Sequence, residues 1–215
     1  MKLSTIFAQL ETAELNQLSC INQTTKKIDP SSYQAIVDVM YQGLVDLHTR
    51  FLLRIGSVTV PVVEDTDTYV LSAIDKSVAG RFIQLHDVKD NKGNVLEVNA
   101  FTPASVNFIS SMTMLVPEYL RKEMPVEQII VQYRSLPQRI GACTELDDPA
   151  FVTVDLPVTY VQALCYYVAS RLHMPVGIHD GTYQINAYAN LYNAECARLV
   201  GAGVSLSYQR DMGHI

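Results

Sequence analysis

The hydrophobic pattern of this chain changes character twice, and that double change constrains the fold more than any single motif. Residues 1–53 carry apolar side chains at helical spacing, residues 54–155 break into short β-branched runs separated by turns, and residues 156–200 return to helical spacing. Side chains recur about every 3.6 residues on a helix face and every 2 on a strand face, so the pattern identifies the element. Helical ends around a strand-forming middle predict an α+β fold: a helical bundle built from the N- and C-terminal segments, with an inserted antiparallel β-block. Residues 201–215 lack a helical period and read as an extended C-terminal tail.

In the first block, Leu3, Ile6, Phe7 and Leu10 share one helix face. Asp29-Pro30 then predicts a helix start, with Asp as N-cap and Pro suited to the first helical position. That helix should run from Pro30 to about Phe51 and bury Ile36, Met40, Leu44 (or Gly43), Leu47 and Phe51. In the middle block, SVTVPVV suits an edge strand because proline cannot donate to a ladder. RFIQLHDV, DNKGN and VLEVN read as a hairpin, with Gly93 free to take a positive φ in the turn. TYVL, VNFIS, MTMLV, VEQIIVQYRS and FVTVD are further strand candidates. In the third block Pro157 opens a helix with Val158, Val161, Cys165, Val168 and Leu172 along one seam. A second helix is expected from about Thr182 to Val200, with Tyr188, Tyr192, Cys196 and Leu199 on one side.

Composition excludes several functions. The net charge is −6 and the only basic runs are the pairs Lys26-Lys27 and Arg121-Lys122, too little to neutralise a phosphate backbone. An acidic protein can still sit beside DNA that must slide past. Cys20, Cys143, Cys165 and Cys196 form no C-x-x-C pair, which argues against zinc ribbons and thioredoxin-like chemistry. The N-terminal stretch carries Glu11 and Glu14 and no apolar run, and no window resembles a membrane span. A reduced cytosolic product with free thiols is expected. Charged residues are 18% of the chain, below the roughly 25% usual for soluble domains. That fits either a large core or an oligomer subunit that buries surface against partners.

No catalytic constellation stands out. Cys165 lies on the apolar seam, where a thiol behaves as a small hydrophobe with a raised pKa. His173 is eight residues on, about 12 Å along a helix, whereas a nucleophile and its base need about 3 Å. Glu64, Asp65 and Asp67 read as a solvated turn, as do Glu145, Asp147 and Asp148 before Pro149. His48, His86, His173, His179 and His214 are scattered and match no metal motif. No catalytic, cofactor-binding or metal-ligating residue is therefore assigned. Two other readings stay open: a metal-dependent hydrolase on the β-block, gathering His86, Asp87 and Asp65, or a monomeric binding module. Tyr183, Tyr188 and Tyr192 are spaced too loosely for a base-stacking platform and suit a protein interface better.

The order of features nevertheless resembles a known family. Asp46-Leu47-His48-Thr49-Arg50-Phe51 closes a helix just before a β-branched strand. A D-N-K-G turn follows, then Asp155-Leu156-Pro157 before a helix ending A-S-R-L, and last Tyr192-Asn193-Ala194-Glu195-Cys196-Ala197-Arg198-Leu199. Over most of residues 1–200 this is similar to the head-to-tail adaptor (connector) proteins of short-tailed bacteriophages. The resemblance implies a structural virion protein made in the host cytoplasm, without enzymatic activity or cofactor. It implies a homo-oligomeric ring, typically of twelve copies, docked beneath the portal protein and joined to a tail or nozzle protein. Double-stranded DNA would pass through the lumen without specific binding, and no membrane is involved. On this reading Tyr208, Arg210 and His214 are the expected portal contacts. Arg50 and Arg171 are candidates for lateral ion pairs between copies. The alternative role of these two arginines is to cap the last carbonyls of their own helices.

Overall fold

A computed structural model describes residues 1–16, 18–141, 148–173 and 187–203. Its elements are α1 (Leu3–Thr12), α2 (Tyr33–Arg50), β1 (Ile55–Pro61), β2 (Thr68–Val70), the short helical turns α3 (Leu71–Ile74) and α4 (Lys76–Ala79), β3 (Phe82–Asp90), β4 (Asn107–Ser110), β5 (Thr113–Leu115), β6 (Gln128–Ser135), α5 (Val161–Leu172) and α6 (Ala187–Gly201). The fold is α+β, as the double change of period predicts. The chain divides into two compact units, one made of Met1–Phe51 with Pro137–Ile215, the other of Leu52–Leu136. Among the described residues no helix is long and apolar enough to cross a membrane.

In the helical unit α5 is the central element and packs on α1, α2 and α6. Leu3, Ile6, Phe7 and Leu10 of α1 are buried, as are Ile36, Met40, Leu44 and Leu47 of α2 and Phe51 beyond it. Each such side chain contributes about 1.5–3 kcal/mol on leaving water. Asp29 caps the entry to α2: its Oδ1 accepts from the Ser31 amide at 3.0 Å and the Ser31 hydroxyl at 2.8 Å. Pro30 then begins a 3-10 turn, Pro30–Ser32, that feeds the helix. Gly43 is where α2 and α5 come closest. A Cβ there would sit 2.8 Å from both Leu164 Cδ1 and Tyr167 Cδ1.

The second unit holds two antiparallel three-stranded sheets, ordered β1-β6-β3 and β2-β5-β4. β1 is an edge strand and ends on Pro61, where the missing N–H costs least. β6 alternates buried Ile129, Val131 and Tyr133 with more exposed neighbours, and Val58, Val60, Val88, Val106, Met114 and Leu120 complete the core. Gly56 opposes Tyr133 across the β1–β6 ladder, and the tyrosine ring covers the space a side chain would fill.

Three expectations from the sequence need correction. FVTVD is not a strand of the β-block. It belongs to the helical unit, where Thr153 forms one isolated bridge with Lys2, and the Leu3 amide donates to the Val152 carbonyl at 2.9 Å. The β-rich unit therefore ends at Leu136 and not at residue 155. The hairpin after β3 forms its turn, with Gly93 at φ +86°, but its return arm makes only isolated bridges, Val95 with Lys89 and Val98 with Val106, and no strand. The carboxylate of Asp90 organises that turn by accepting from the Lys92 and Asn94 amides, both at 2.8 Å, while β3 takes its ladder from β6. Val158 is exposed, because Val158–Tyr160 is a 3-10 turn whose phase differs from that of α5. Of the expected seam, Val161, Cys165 and Val168 are buried. The expected start of the last helix at Thr182 lies outside the described residues.

Candidate functional site

The most developed polar site of the helical unit is a cleft of about 440 Å³ where α2, α5 and α6 meet. Asp46 and Arg50 of α2, Tyr167, Ser170 and Arg171 of α5, and Tyr192 and Asn193 of α6 line it. Helical spacing explains the grouping, since residues three or four apart share a face. Asp46 and Arg50 form such a pair, with Arg50 Nε 2.7 Å from Asp46 Oδ2. The Tyr192 hydroxyl donates to the same carboxylate oxygen.

Both guanidinium groups rest on tyrosine faces. Arg50 lies 5.2 Å from the centroid of the Tyr192 ring, and Arg171 lies 5.2 Å from that of Tyr167. The two rings pack edge to face, with centroids 5.3 Å apart at 77°. Cation–π contacts hold the arginines in place without using their N–H edges. Arg50 spends only its Nε on Asp46, and Arg171 makes no ion pair among the described residues. Neither caps the carbonyls of its own helix, the alternative role that the sequence suggests. Arg50 and Arg171, far apart in the chain, meet at one cleft.

The electrostatics fit a binding site. Burial pushes the Tyr192 phenol far above its ordinary range, and its bond to Asp46 reinforces that, so the hydroxyl stays a neutral donor. Burial opposes the Arg50 charge, but Asp46, Tyr192 and Cys196 more than restore it, leaving its pKa above the usual value. The Asp46 charge is already answered by Arg50 and Tyr192. What stays unspent is the outer, forked donor edge of two arginines, which suits a planar oxyanion such as a carboxylate.

Among the described residues the buried cysteines are poor nucleophiles. Burial pushes the Cys165 thiol up to about 12, with the nearby Glu14 charge adding to it. Burial also raises Cys196 and Cys20. At pH 8, native Cys165 and Cys196 should therefore resist iodoacetamide and should alkylate fully after denaturation. Peptide mass spectrometry checks this, and rapid labelling of native Cys165 would contradict it.

The histidines and carboxylates considered for the hydrolase reading are dispersed. His86 and Asp87 are successive residues of β3, where the pairing with β6 shifts by one residue and His86 has no ladder partner. The Asp87 carboxylate is engaged by Lys89 at 3.2 Å, and Asp65 lies in an exposed turn. His173 places Nε2 2.8 Å from the Glu14 carbonyl and stacks on Tyr188, while His48 is buried in α2. Among the described residues no three His, Cys, Asp or Glu side chains are placed to hold a metal ion. Tyr208, Arg210 and His214, the expected portal contacts, lie outside the described residues, as do Cys143 and His179.

Sequence reasoning missed the tyrosine platforms and the role of Asp46. The i, i+4 spacing of Asp46 and Arg50 was the available signal. It also missed a buried polar strap in which Gln9 donates to Gln162 at 2.7 Å and Gln162 donates to the 95%-buried Glu14 at 2.9 Å. No protein-family model matches the chain, and no curated protein matches it.

Proposed function

We propose that this chain is a head-to-tail adaptor of a short-tailed bacteriophage, a structural virion protein that forms a ring below the portal and joins capsid to tail. The observation that carries this reading is convergence. Of the segments on which the resemblance rests, 46–51, 169–172 and 192–199 contribute Asp46, Arg50, Ser170, Arg171, Tyr192 and Asn193 to a single cleft, while Asp155-Leu156-Pro157 does not line it.

Exposed apolar side chains support the same reading. Phe101, Ile109 and Val95 in the β-rich unit, and Phe151 and Val158 in the helical unit, stand in solvent. Such residues mark surfaces that partners cover when they cluster. A ring subunit carries two different lateral faces and closes by repeating one heterologous contact. Its work is geometric. Identical contacts summed around the ring hold a joint, and an acidic subunit surface disfavours sticking of the passing duplex. Arg50 and Arg171 serve lateral contacts in this reading, and Tyr208, Arg210 and His214 face the portal.

The test is a mass measurement on the purified chain with and without the portal assembly encoded in the same genome. The expected result is one large complex whose added mass is a whole multiple of the 24.0 kDa subunit, twelve for a full ring. A chain that stays at subunit mass beside the portal, or that purifies with stoichiometric zinc or manganese, contradicts the proposal.

A further inference from the structure

We infer that the two-arginine cleft of one copy receives the acidic turn Glu64-Asp65-Thr66-Asp67 of a neighbouring copy. The inference rests on the ring reading and names the occupant of its lateral site.

The cleft offers two guanidinium groups, each resting on a tyrosine face; Arg50 uses only its Nε, on Asp46, and the remaining N–H groups of both bond nothing among the described residues. Immobilised arginines bind carboxylates well because little side-chain freedom is left to lose. An occupant must therefore bring carboxylates that are exposed, unspent and themselves held in place.

The turn between β1 and β2 meets all three conditions. Residues 64–67 are exposed throughout. The carboxylates of Glu64 and Asp65 accept no hydrogen bond among the described residues. Asp67 differs, accepting from its neighbour Thr68 at 2.8 Å. The turn is fixed through its backbone. Arg121 Nη1 donates to the Glu64 carbonyl, and the same guanidinium binds the Val116 carbonyl through Nε at 3.1 Å. The Val116 amide donates to the Asp67 carbonyl at 2.8 Å, and the Val63 amide donates to the Tyr69 hydroxyl at 2.8 Å. Because these contacts use main-chain atoms, the acidic side chains project without supporting the turn. Glu64 is near enough to Lys122 to raise the pKa of that ammonium but makes no ion pair with it, so Glu64 and Asp65 can meet an outside partner and their replacement leaves the main-chain bonds of the turn in place.

Cleft and turn are different patches of the chain, so pairing them between copies is a heterologous contact of the kind a ring repeats. One copy's cleft takes its neighbour's turn, and its own turn is offered to the next copy. Opposite charge supplies the selectivity, and a copy presented cleft to cleft would be repelled.

A charge exchange tests this. Two full-length variants are prepared, Arg171→Glu and the double change Glu64→Arg with Asp65→Arg. Arg171 is exposed and carries no ion pair among the described residues, and Glu64 and Asp65 accept no hydrogen bond among them, so both variants should keep the wild-type circular dichroism, with a small fall in urea midpoint for Arg171→Glu from the lost stacking on Tyr167. Sedimentation is then measured across concentration, each variant alone and the two mixed, with and without the portal. Each variant alone should assemble at least about tenfold more weakly than wild type, and the equimolar mixture should regain most of the loss because each reversed cleft meets a reversed turn. If wild type assembles and neither variant is weakened, the inference fails and the ring reading stands. If Arg171→Glu weakens assembly but the mixture does not recover, the cleft takes another segment and the turn is not its occupant. If wild type itself never associates, even on the portal, the ring reading fails and the inference falls with it.

Discussion

Tyr192→Ala should destabilise the helical unit by about 3–5 kcal/mol, the range for removing a large buried aromatic side chain. Tyr192 is 5% exposed, packs edge to face on Tyr167, carries Arg50 over its ring and donates to Asp46. Alanine removes all three contacts and opens a void between α6 and α5. Tyr192→Phe separates the terms. It keeps the ring and the cation–π contact but removes a hydrogen bond to a carboxylate, worth about 1.5–3 kcal/mol. The lower end is expected, since Asp46 retains Arg50. Urea unfolding with both variants, and hydrogen exchange in peptides from α2, α5 and α6, give the measurement. A Tyr192→Ala protein with wild-type stability would mean that α6 does not pack on α5 through this residue.

Gly43→Val should cost about 3 kcal/mol, near the top of the usual range for overpacking a filled core. The side chain would begin 2.8 Å from Leu164 Cδ1 and from Tyr167 Cδ1. Leu164 is fully buried, and the Tyr167 ring is held between Tyr192 and Arg171, so neither can give way cheaply. Gly43→Ala should fall well short of that. Alanine gains about 1 kcal/mol of helix propensity over glycine, which offsets part of the same clash. The ordering Gly, Ala, Val in falling urea midpoint is the expected signature of helices that approach closely at residue 43. A valine variant as stable as wild type would contradict that approach.

What was legible in the sequence was whatever depends on local period. Leu3, Ile6, Phe7 and Leu10 mark α1, and Ile36, Met40, Leu47 and Phe51 mark α2, because one apolar stripe must face inward whatever it packs against. The Asp29 cap and the Gly93 turn were legible for the same reason, since their chemistry is settled within a few residues. FVTVD misled because β-branched composition announces an extended backbone but not its partner. The partner is the N-terminus, about 150 residues away, and it supplies a bridge where a ladder was expected. The arm after Gly93 misled in the same way. Its composition suits a strand and β3 leaves one edge open to it, but it meets that edge at a single bridge, Lys89 with Val95. The cleft was half legible. Arg50 and Arg171 stood out as cations near helix ends, but their meeting depends on contacts such as Tyr192 with Asp46, 146 residues apart, which no local pattern encodes.

The central claim is that this chain acts by fitting against copies of itself and a larger vertex, with no reaction at any side chain. Electron cryomicroscopy of particles assembled from the genome that encodes this chain tests that most directly. The account predicts a closed collar of this chain between portal and tail, with an open central channel. A portal that meets the tail with no such collar, or this chain found elsewhere in the particle or not at all, would contradict it.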